Sequence, residues 1–170
     1  MPRSQIAVRE AGAGDWKRMK DVRLRMLECD PDAYGGTLDE ALGRPKSYWK
    51  ERAAWSADGI SQKSFAAIAG RQWVGMVTCF IEEESPEEGY IVGMWVDPEW
   101  RKLGAGKSLL QAASEWCMGK GLKSMRLHVN EAIHSARSLY ESLEFEYTGR
   151  SNPMDRDHSI NLIEMRRSLD

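Results

Sequence analysis

The sequence contains few cysteines, and they lie far apart. Its 170 residues include 3 cysteines, Cys29, Cys79 and Cys117, and no two of them form a C-x-x-C pair. This spacing argues against a structural zinc site and against a disulfide framework, so no bound metal is expected. An odd number of free thiols fits a reducing compartment, which predicts a cytoplasmic protein.

The sequence also lacks a strong charge of either sign and a long apolar run. Its 24 basic and 26 acidic residues give a formal net charge of -2 at pH 7. Because the chain has no general basic field, no nucleic-acid partner is expected. No stretch stays apolar over the ~20 residues that a membrane helix needs. The N-terminal residues also show no apolar run of signal length, so no membrane partner is expected.

The length and the composition favour a single compact domain. A chain of 170 residues with 42% hydrophobic residues can bury a substantial core. The sequence shows no internal repeat and no low-complexity segment. We therefore expect one domain over residues 1–170.

A strand, a basic turn and a helix follow one another in the segment 91–110, IVGMWVDPEWRKLGAGKSLL. The apolar residues from Ile91 to Val96 predict a strand, which Pro98 ends because proline has no backbone N–H for a sheet. Beyond the turn, small and apolar residues recur at helical spacing: Gly106, Leu109, Leu110, Ala113 and Cys117. Such a turn gathers unpaired N–H groups at the positive end of a helix, which predicts a phosphate-binding site.

Three phosphate-binding patterns compete for this turn. A Walker A loop ending at Gly106-Lys107-Ser108 would need glycine at Arg101, and a dinucleotide fingerprint would need glycine or alanine at Leu109. The pattern R-x-x-G-x-G fits Arg101 to Gly106 without a gap. A nucleotide-binding module that uses Lys107 and Ser108 stays open as an alternative.

Hydrophobic periodicity along the rest of the chain predicts a mixed α/β fold. The predicted order is β-α-α-β-β-β-α-β-α-β-β, with the last two strands at residues 144–150 and 159–166. The second helix is expected to begin with Pro45 at its first position. This order implies an α/β (α+β) fold with a mixed central sheet of about seven strands and helices on both faces.

Two motifs in the sequence resemble those of the GNAT superfamily of N-acetyltransferases. The first is the R-x-x-G-x-G turn, preceded by V-D-P and followed by a Leu-Leu helix, which is similar to the coenzyme A loop of that family. The second is L-x-V at Leu127 to Val129, followed by a helix in which five residues fall in register: Ala136, Leu139, Tyr140, Leu143 and Phe145. Ile133 stands where the family usually has Asn, and Glu144 stands where it usually has Gly. At Glu144 we expect a local adjustment of the backbone.

The resemblance implies acetyl-CoA as co-substrate and a coenzyme site in the segment after Gly93. The strands before and after the loop's helix are expected to splay and admit the pantetheine. A bulge near Met94, permitted by Gly93, would turn a backbone N–H toward the thioester. Asn130 or Ser135 would replace the missing Asn at Ile133. The implied coenzyme-binding residues are Trp95, Val96, Arg101, Lys102, Leu103, Gly104, Ala105, Gly106, Lys107, Ser108, Asn130 and Ser135. Backbone amides would hold the diphosphate, and Arg101, Lys102 and Lys107 would add charge.

Acetyl transfer to an amine also needs an acid and a base. The resemblance implies that Tyr140 protonates the leaving thiolate. The base is expected to be His128, which has a suitable intrinsic pKa and faces away from Leu127 and Val129. Packing on a sheet face is the simpler interpretation of His128. The acidic turn from Glu82 to Glu84 is a second source of a base, although a solvated turn explains it as well.

These residues predict an acetyl-CoA-dependent N-acetyltransferase that acts on a primary amine of a small molecule or peptide. The amine would attack directly in a ternary complex, because no cysteine lies beside the loop or Tyr140 in the sequence. The alternative is a coenzyme A-binding sensor without turnover, which the departures at Ile133 and Glu144 keep open. A homodimer is possible, paired through the C-terminal strand.

Overall fold

The computed structural model describes residues 5–170, which form seven strands and five helices. The strands are β1 (Ile6–Glu10), β2 (Gln62–Ala69), β3 (Gln72–Ile81), β4 (Glu88–Val96), β5 (Ser124–Asn130), β6 (Glu146–Met154) and β7 (Asp157–Ser168). The helices are α1 (Trp16–Cys29), α2 (Leu38–Leu42), α3 (Lys46–Asp58), α4 (Ala105–Gly119) and α5 (His134–Ser142). Within these residues, no helix is both long enough and apolar enough to cross a bilayer.

All seven strands belong to one mixed sheet. Their order is β1-β2-β3-β4-β5-β7-β6, in which β4 and β5 are parallel and the other neighbours are antiparallel. The C-terminal strand β7 therefore lies between β5 and β6 and has no free edge. The predicted pairing of this strand across a dimer is wrong, because both of its edges are already used. A homodimer stays a prediction, and the free edges of the sheet belong to β1 and β6.

Two hydrophobic clusters cover the two faces of the sheet. On one face, α4 packs its apolar side on the central strands, with Leu109, Leu110 and Ala113 fully enclosed. On the other face, α1 and α3 cover β2 to β4, with Met26 and Trp49 among the buried residues. The mixed sheet with helices on both faces confirms the predicted fold class.

The structure has one helix more than the predicted order, the short α2, and the other elements follow in the predicted order with differences at their ends. Pro45 precedes the second long helix as its N-cap, so its first helical residue is Lys46 and not Pro45. The two last strands are longer than predicted, because only Asp155 and Arg156 separate them and Pro153 fits on the edge strand β6. The single-domain assignment for residues 1–170 stays a prediction, and its first four residues lie outside those described.

Helix α1 begins at a carboxylate that joins it to β1. Asp15 accepts two hydrogen bonds from the Arg9 guanidinium, at 2.8 and 3.0 Å, and one from the Gly12 backbone N–H at 2.8 Å. Arg18 adds a second cation at 3.2 Å. The hydrogen bonds from Arg9 lower the pKa of Asp15 to about 2, and the bonds from Gly12 and Arg18 act in the same direction. Asp15 therefore stabilises the folded chain as a carboxylate.

A glycine makes room for two buried thiols between the sheet and α4. The sulfur atoms of Cys79 on β3 and Cys117 on α4 lie 3.3 Å apart, and both residues are fully buried. A Cβ at Gly89 on β4 would lie 2.6 Å from the Cys117 sulfur and 2.9 Å from the Cys79 sulfur. The hydrogen bond between the thiols, together with burial, raises the pKa of Cys79. Cys79 is therefore a protonated thiol that packs against Cys117 in the core.

Candidate active site

The central strands β4 and β5 pair only at their beginnings and then separate. The paired residues are Glu88 with Ser124, Gly89 with Met125, and Tyr90 with Arg126. Both strands continue beyond this point, to Val96 and Asn130, without pairing to each other. An unpaired stretch between two parallel strands leaves backbone groups free to bind an extended ligand. This is the splay that the sequence predicts.

A β-bulge lies on β4 beside the splay. Met76 pairs with Trp95 while Thr78 pairs with Val92, so β4 has one residue more than β3 in this interval. Gly93 within it has φ of 58°, a left-handed conformation that side chains rarely adopt. The structure thus places the predicted bulge at Gly93 and Met94, immediately before Trp95.

The loop between β4 and α4 presents a row of free backbone amides. The N–H groups from Lys102 to Lys107 donate to no protein group within residues 5–170, and the first helical bond of α4 is from Ser108 N to Gly104 O, at 3.0 Å. Lys102 and Gly104 have φ of 63° and 89°. Alternation of left-handed residues with ordinary ones turns successive N–H groups toward a common point. The loop is therefore built to bind an anion at the helix N-terminus.

The side chain of Arg101 is used inside the protein. Its Nε donates to Val96 O at 2.9 Å, and its Nη2 donates to Asp30 Oδ2 at 2.7 Å. The same carboxylate oxygen accepts a hydrogen bond from Trp95 Nε1 at 2.9 Å. The expected contribution of the Arg101 charge to the diphosphate is not supported, because this guanidinium joins the loop to β4 and to the end of α1.

The other predicted loop residues are placed differently from one another. The side chains of Lys102, Leu103, Lys107 and Ser108 are exposed, so the two lysines are free to meet an anion. The backbone N–H of Ser108 is already used in the helix, which leaves only its hydroxyl for a ligand. Ala105 is buried and offers its backbone alone. Trp95 and Val96 are buried, so their side chains pack while β4 supplies backbone groups.

Helix α5 brings Tyr140 into the core beside the splay. Tyr140 is 8% exposed and packs edge-on against Phe145, with the ring centroids 5.8 Å apart. Burial raises the pKa of its hydroxyl, which therefore stays protonated near neutral pH. Ser135 lies exposed in the first turn of the same helix, close to its free N–H groups.

Glu144 follows α5 in a left-handed conformation with φ of 68°. The N–H of Phe145 donates to Tyr140 O at 3.0 Å and that of Glu144 donates to Glu141 O at 3.1 Å, which is a Schellman ending. Glutamate thus takes the backbone conformation that glycine usually has here, and the local adjustment that we expected does not occur.

His128 lies on β5, two residues after Arg126, which forms the last pair between β4 and β5. Both of its ring nitrogens face protein groups. Nδ1 is 2.6 Å from the Tyr90 hydroxyl, and Nε2 is 3.6 Å from Glu164 Oε2. Burial lowers the pKa of His128, Arg126 lowers it further, and Glu164 opposes this shift. His128 is thus neutral near pH 7. Its Nδ1 is engaged by the Tyr90 hydroxyl, so this nitrogen does not contact an amine directly.

Two other polar side chains near the splay have partners inside the protein. The carboxylate of Glu82 is not free, because it accepts a hydrogen bond from Arg126 Nη2 at 2.7 Å and forms an ion pair with this arginine. Asn130 uses both ends of its amide inside the protein: Nδ2 donates to Asp32 O at 3.1 Å, and Oδ1 accepts from the Ala132 N–H at 3.0 Å. Asn130 therefore fixes the loop after α1, and its contact with the coenzyme stays a prediction.

The loop after α1 supplies a residue that the sequence did not single out as catalytic. The Tyr34 hydroxyl donates to Met94 O at 2.8 Å, directly at the bulge. Burial raises the pKa of Tyr34, and the Tyr140 phenol raises it further. Arg156, from the turn between β6 and β7, donates to the backbone oxygens of Pro31 and Tyr34 and holds this loop over the bulge. From the sequence, the segment from Tyr34 to Thr37 is expected to lie near the acceptor pocket by the same resemblance, but its contacts with the bulge are not visible there.

The bulge, the splay and the amide-lined turn together define an acyl-coenzyme A transferase type of site. The sequence profile described as the Acetyltransferase (GNAT) family matches residues 25–145, so the chain belongs to this family. Enzymes of this family take the acetyl group from acetyl-CoA. This finding confirms the resemblance that the two motifs indicate.

Among its relatives, the chain is 30% identical over 125 residues to a mycothiol acetyltransferase of Thermobispora bispora, covering 73% of this chain and 40% of the relative. It therefore spans about 40% of the length of that relative. It is 30% identical over 122 residues to the [Ribosomal protein bS18]-alanine N-acetyltransferase of Escherichia coli K12, covering 66% of this chain and 82% of the relative.

Two solved structures show the same fold. An acetyltransferase of the GNAT family from Streptococcus pneumoniae superimposes with a TM-score of 0.83 at 19% identity, covering 98% of this chain and 100% of the other. The acetyltransferase yncA from Salmonella typhimurium, solved with acetyl-CoA, superimposes with a TM-score of 0.76 at 15% identity, covering 98% and 95%.

Proposed function

We propose that this protein transfers an acetyl group from acetyl-CoA to a primary amine of a small molecule or peptide, by direct attack in a ternary complex. The observation that carries the proposal is the row of free amides from Lys102 to Lys107 beside the unpaired stretch of β4. The amides meet the requirements of a diphosphate, and the open strand edge meets those of the pantetheine amides.

Each part of the coenzyme has a matching feature in the chain. The amides and the exposed side chains of Lys102 and Lys107 hold the diphosphate, while Ser108 and Ser135 offer hydroxyls nearby. The backbone of Trp95 and Val96 pairs with the pantetheine. A backbone N–H at the Gly93 bulge polarises the thioester carbonyl.

Tyr140 donates a proton to the departing thiolate. Its raised pKa keeps the phenol protonated at neutral pH, and a donor in an apolar site forms a strong hydrogen bond to developing negative charge. Tyr34, which donates a hydrogen bond to Met94 O, positions the bulge from the acceptor side.

The amine loses its proton through Tyr90 and His128. Tyr90 gives its proton to His128 Nδ1 as its oxygen receives one from the ammonium through water. Glu164, 3.6 Å from Nε2, stabilises the imidazolium that results. Because the pKa of His128 lies below its ordinary value of about 6.5, the imidazole is still neutral at pH 6.5 and can accept a proton there.

The proton route is tested by the pH dependence of kcat/KM. The wild type should lose activity as the pH falls below about 6.5, because protonated His128 accepts no proton. His128→Gln should be slower at pH 7.5 and lack this additional acid limb. Profiles of the same shape in both proteins would contradict the route.

Direct attack is favoured because no thiol is placed to carry the acetyl group. Cys79 and Cys117 are fully buried on the α4 face of the sheet, where their thiols are hydrogen-bonded to each other. Cys29 is exposed at the end of α1. One of the two relatives is named a mycothiol acetyltransferase and the other a ribosomal protein bS18-alanine N-acetyltransferase, so the assay includes both small and peptide acceptors.

The function is tested by measuring release of the coenzyme thiol from acetyl-CoA with a panel of small amines and peptides that begin with alanine. We expect turnover with at least one amine, and calorimetric binding of coenzyme A but not of ATP. Binding of coenzyme A without turnover on any amine would favour the sensor. Binding of ATP instead would favour the nucleotide module.

A further inference from the structure

A partly open cavity lies beside the bulge, between the sheet and the helices α1 and α3. It has a volume of about 90 Å³, and its lining includes Met76 and Thr78, the β3 residues whose β4 partners flank the bulge. That volume is the share of about three waters in the liquid. It is large enough for a small polar group and too small for a whole substrate.

Two arginines line this cavity without a carboxylate among its lining residues. Arg23 comes from α1 and Arg52 from α3. Within residues 5–170, neither forms an ion pair, and the one side-chain acceptor near the Arg23 guanidinium is the weak sulfur of Met26, at 3.2 Å. Burial lowers the pKa of Arg23, and the positive charge of Arg52 lowers it further. Two neighbouring cations of this kind are stabilised by a bound anion.

A third donor in the cavity is also unsatisfied. The indole Nε1 of Trp49 is buried and has no hydrogen-bond partner within the described chain, and Trp49 lines the same cavity. A buried N–H without a partner is costly, which indicates an acceptor that the protein itself does not provide. The cavity therefore combines unpaired positive charge with an unpaired neutral donor.

The cavity is linked to the transfer site through one side chain. The Arg23 guanidinium lies 5.5 Å from the centre of the Tyr34 ring, and the Tyr34 hydroxyl donates to Met94 O at the bulge. An anion at Arg23 is thus separated from the bulge by the length of one phenol ring. The cavity also shares β3 with the bulge, because Met76 and Thr78 line the cavity and pair with Trp95 and Val92 on either side of the bulge.

We propose that the cavity binds the anionic end of the acceptor, so that the preferred substrates are amines that carry a carboxylate or a phosphate. This rests on the proposed function and specifies its substrate class. Arg23 and Arg52 neutralise the anion, and Trp49 Nε1 donates to one of its oxygens. The amine at the other end then lies near the bulge.

The test compares matched acceptors that differ only in the anion. One pair is an ω-amino acid and its amide, and the other is an aminoalkyl phosphate and the corresponding amino alcohol. We expect kcat/KM to be about 10- to 100-fold higher for the anionic member of at least one pair. The pair that shows the larger ratio identifies carboxylate or phosphate as the group.

Arg23→Gln and Arg52→Gln should each remove most of this ratio by raising KM for the anionic acceptor, with kcat changed little. The matched control is Arg44→Gln, because Arg44 stacks on the outer side of the Tyr48 ring, at 4.7 Å, and does not line the cavity. Equal kcat/KM within both pairs would overturn the proposal while leaving the acetyltransferase function intact.

If no amine is acetylated, the proposed function fails, and the cavity is then tested by thermal unfolding with inorganic phosphate or acetate. A rise in Tm for the wild type that is absent in Arg52→Gln supports an anion site. No rise with either anion overturns it.

Discussion

Tyr140 is a residue whose surroundings fit one chemical role. Tyr140→Phe removes the hydroxyl and keeps the buried ring, so the coenzyme affinity should stay nearly constant. We expect kcat to fall by about 100-fold, because the thiolate then leaves without an acid. Steady-state rates and calorimetry with coenzyme A measure the two effects. Tyr147→Phe, at an exposed tyrosine, is the matched control, and unchanged turnover of the Tyr140 variant would remove its role as the acid.

Glu144 is a residue that carries backbone strain. A left-handed residue with a side chain costs about 1 to 2 kcal/mol, whereas glycine adopts this conformation freely. Glu144→Gly should therefore raise the free energy of unfolding by about 1 kcal/mol, part of the gain being lost to the greater freedom of glycine in the unfolded chain. Urea unfolding measures the change.

Glu144→Ala is the control, because it removes the charge beside the helix C-terminus and keeps the Cβ. It should recover little of the gain. Equal stabilisation by both variants would show that the carboxylate, and not the backbone, is unfavourable here.

At the residue scale, the sequence predicted local features of the site better than contacts between residues that are distant in the chain. The R-x-x-G-x-G pattern located the free amides, because glycine and helix periodicity are local properties. It could not show that Arg101 faces Asp30, which is 71 residues away along the chain. The same holds for Asn130 and for His128, whose partners come from other elements.

The loop between β4 and α4 is an element held at one end by an ion pair. Arg101 and Asp30 fix it to β4 and to the end of α1. Arg101→Gln and Asp30→Asn should each weaken coenzyme A binding, by about 10-fold, since either one frees the loop and adds ordering entropy to binding. Calorimetry gives both values.

The two changes should not add, because they break the same contact. The double variant is expected to bind coenzyme A about as well as the weaker single variant. Full additivity would show that Arg101 acts on the coenzyme directly. Lys120→Gln, at the far end of α4, is a control for general loss of positive charge.

At the element scale, the sequence predicted which elements occur and in which order, since periodicity of 2 and 3.6 residues is visible locally. The beginning of β4 was missed because Glu88 reads as part of an acidic turn. In the structure, Glu88 pairs with Ser124 on β5, so it belongs to the strand, and Ser124 and Arg126 bind its carboxylate. Pairing across the sheet thus decided a boundary that local composition could not.

The stability of the whole molecule at acid pH should depend on Asp15. Its pKa is about 2 in the folded chain and 3.8 ordinarily, so folding is favoured while it is ionised. The contribution is full above about pH 4 and is lost as the pH falls through 2. Asp15→Asn should cost at most about 2 kcal/mol near pH 7, because its arginine partners reach solvent.

Chemical unfolding of the wild type and of Asp15→Asn from pH 2 to 7 measures this difference. The two stability curves should converge at the acid end of the range. Curves that stay parallel across it would contradict the lowered pKa. Asp39→Asn, at an exposed position of α2, is a control for the loss of one carboxylate.

The sulfur pair under β4 has a consequence for how this sequence can change over time. Gly89, Cys79 and Cys117 share one small volume, so a larger residue at any of them requires a smaller one at another. These three positions are therefore expected to covary among descendants of this chain, with glycine replaced only where a thiol has become alanine. Neutral drift in the heart of this sheet then proceeds by paired steps.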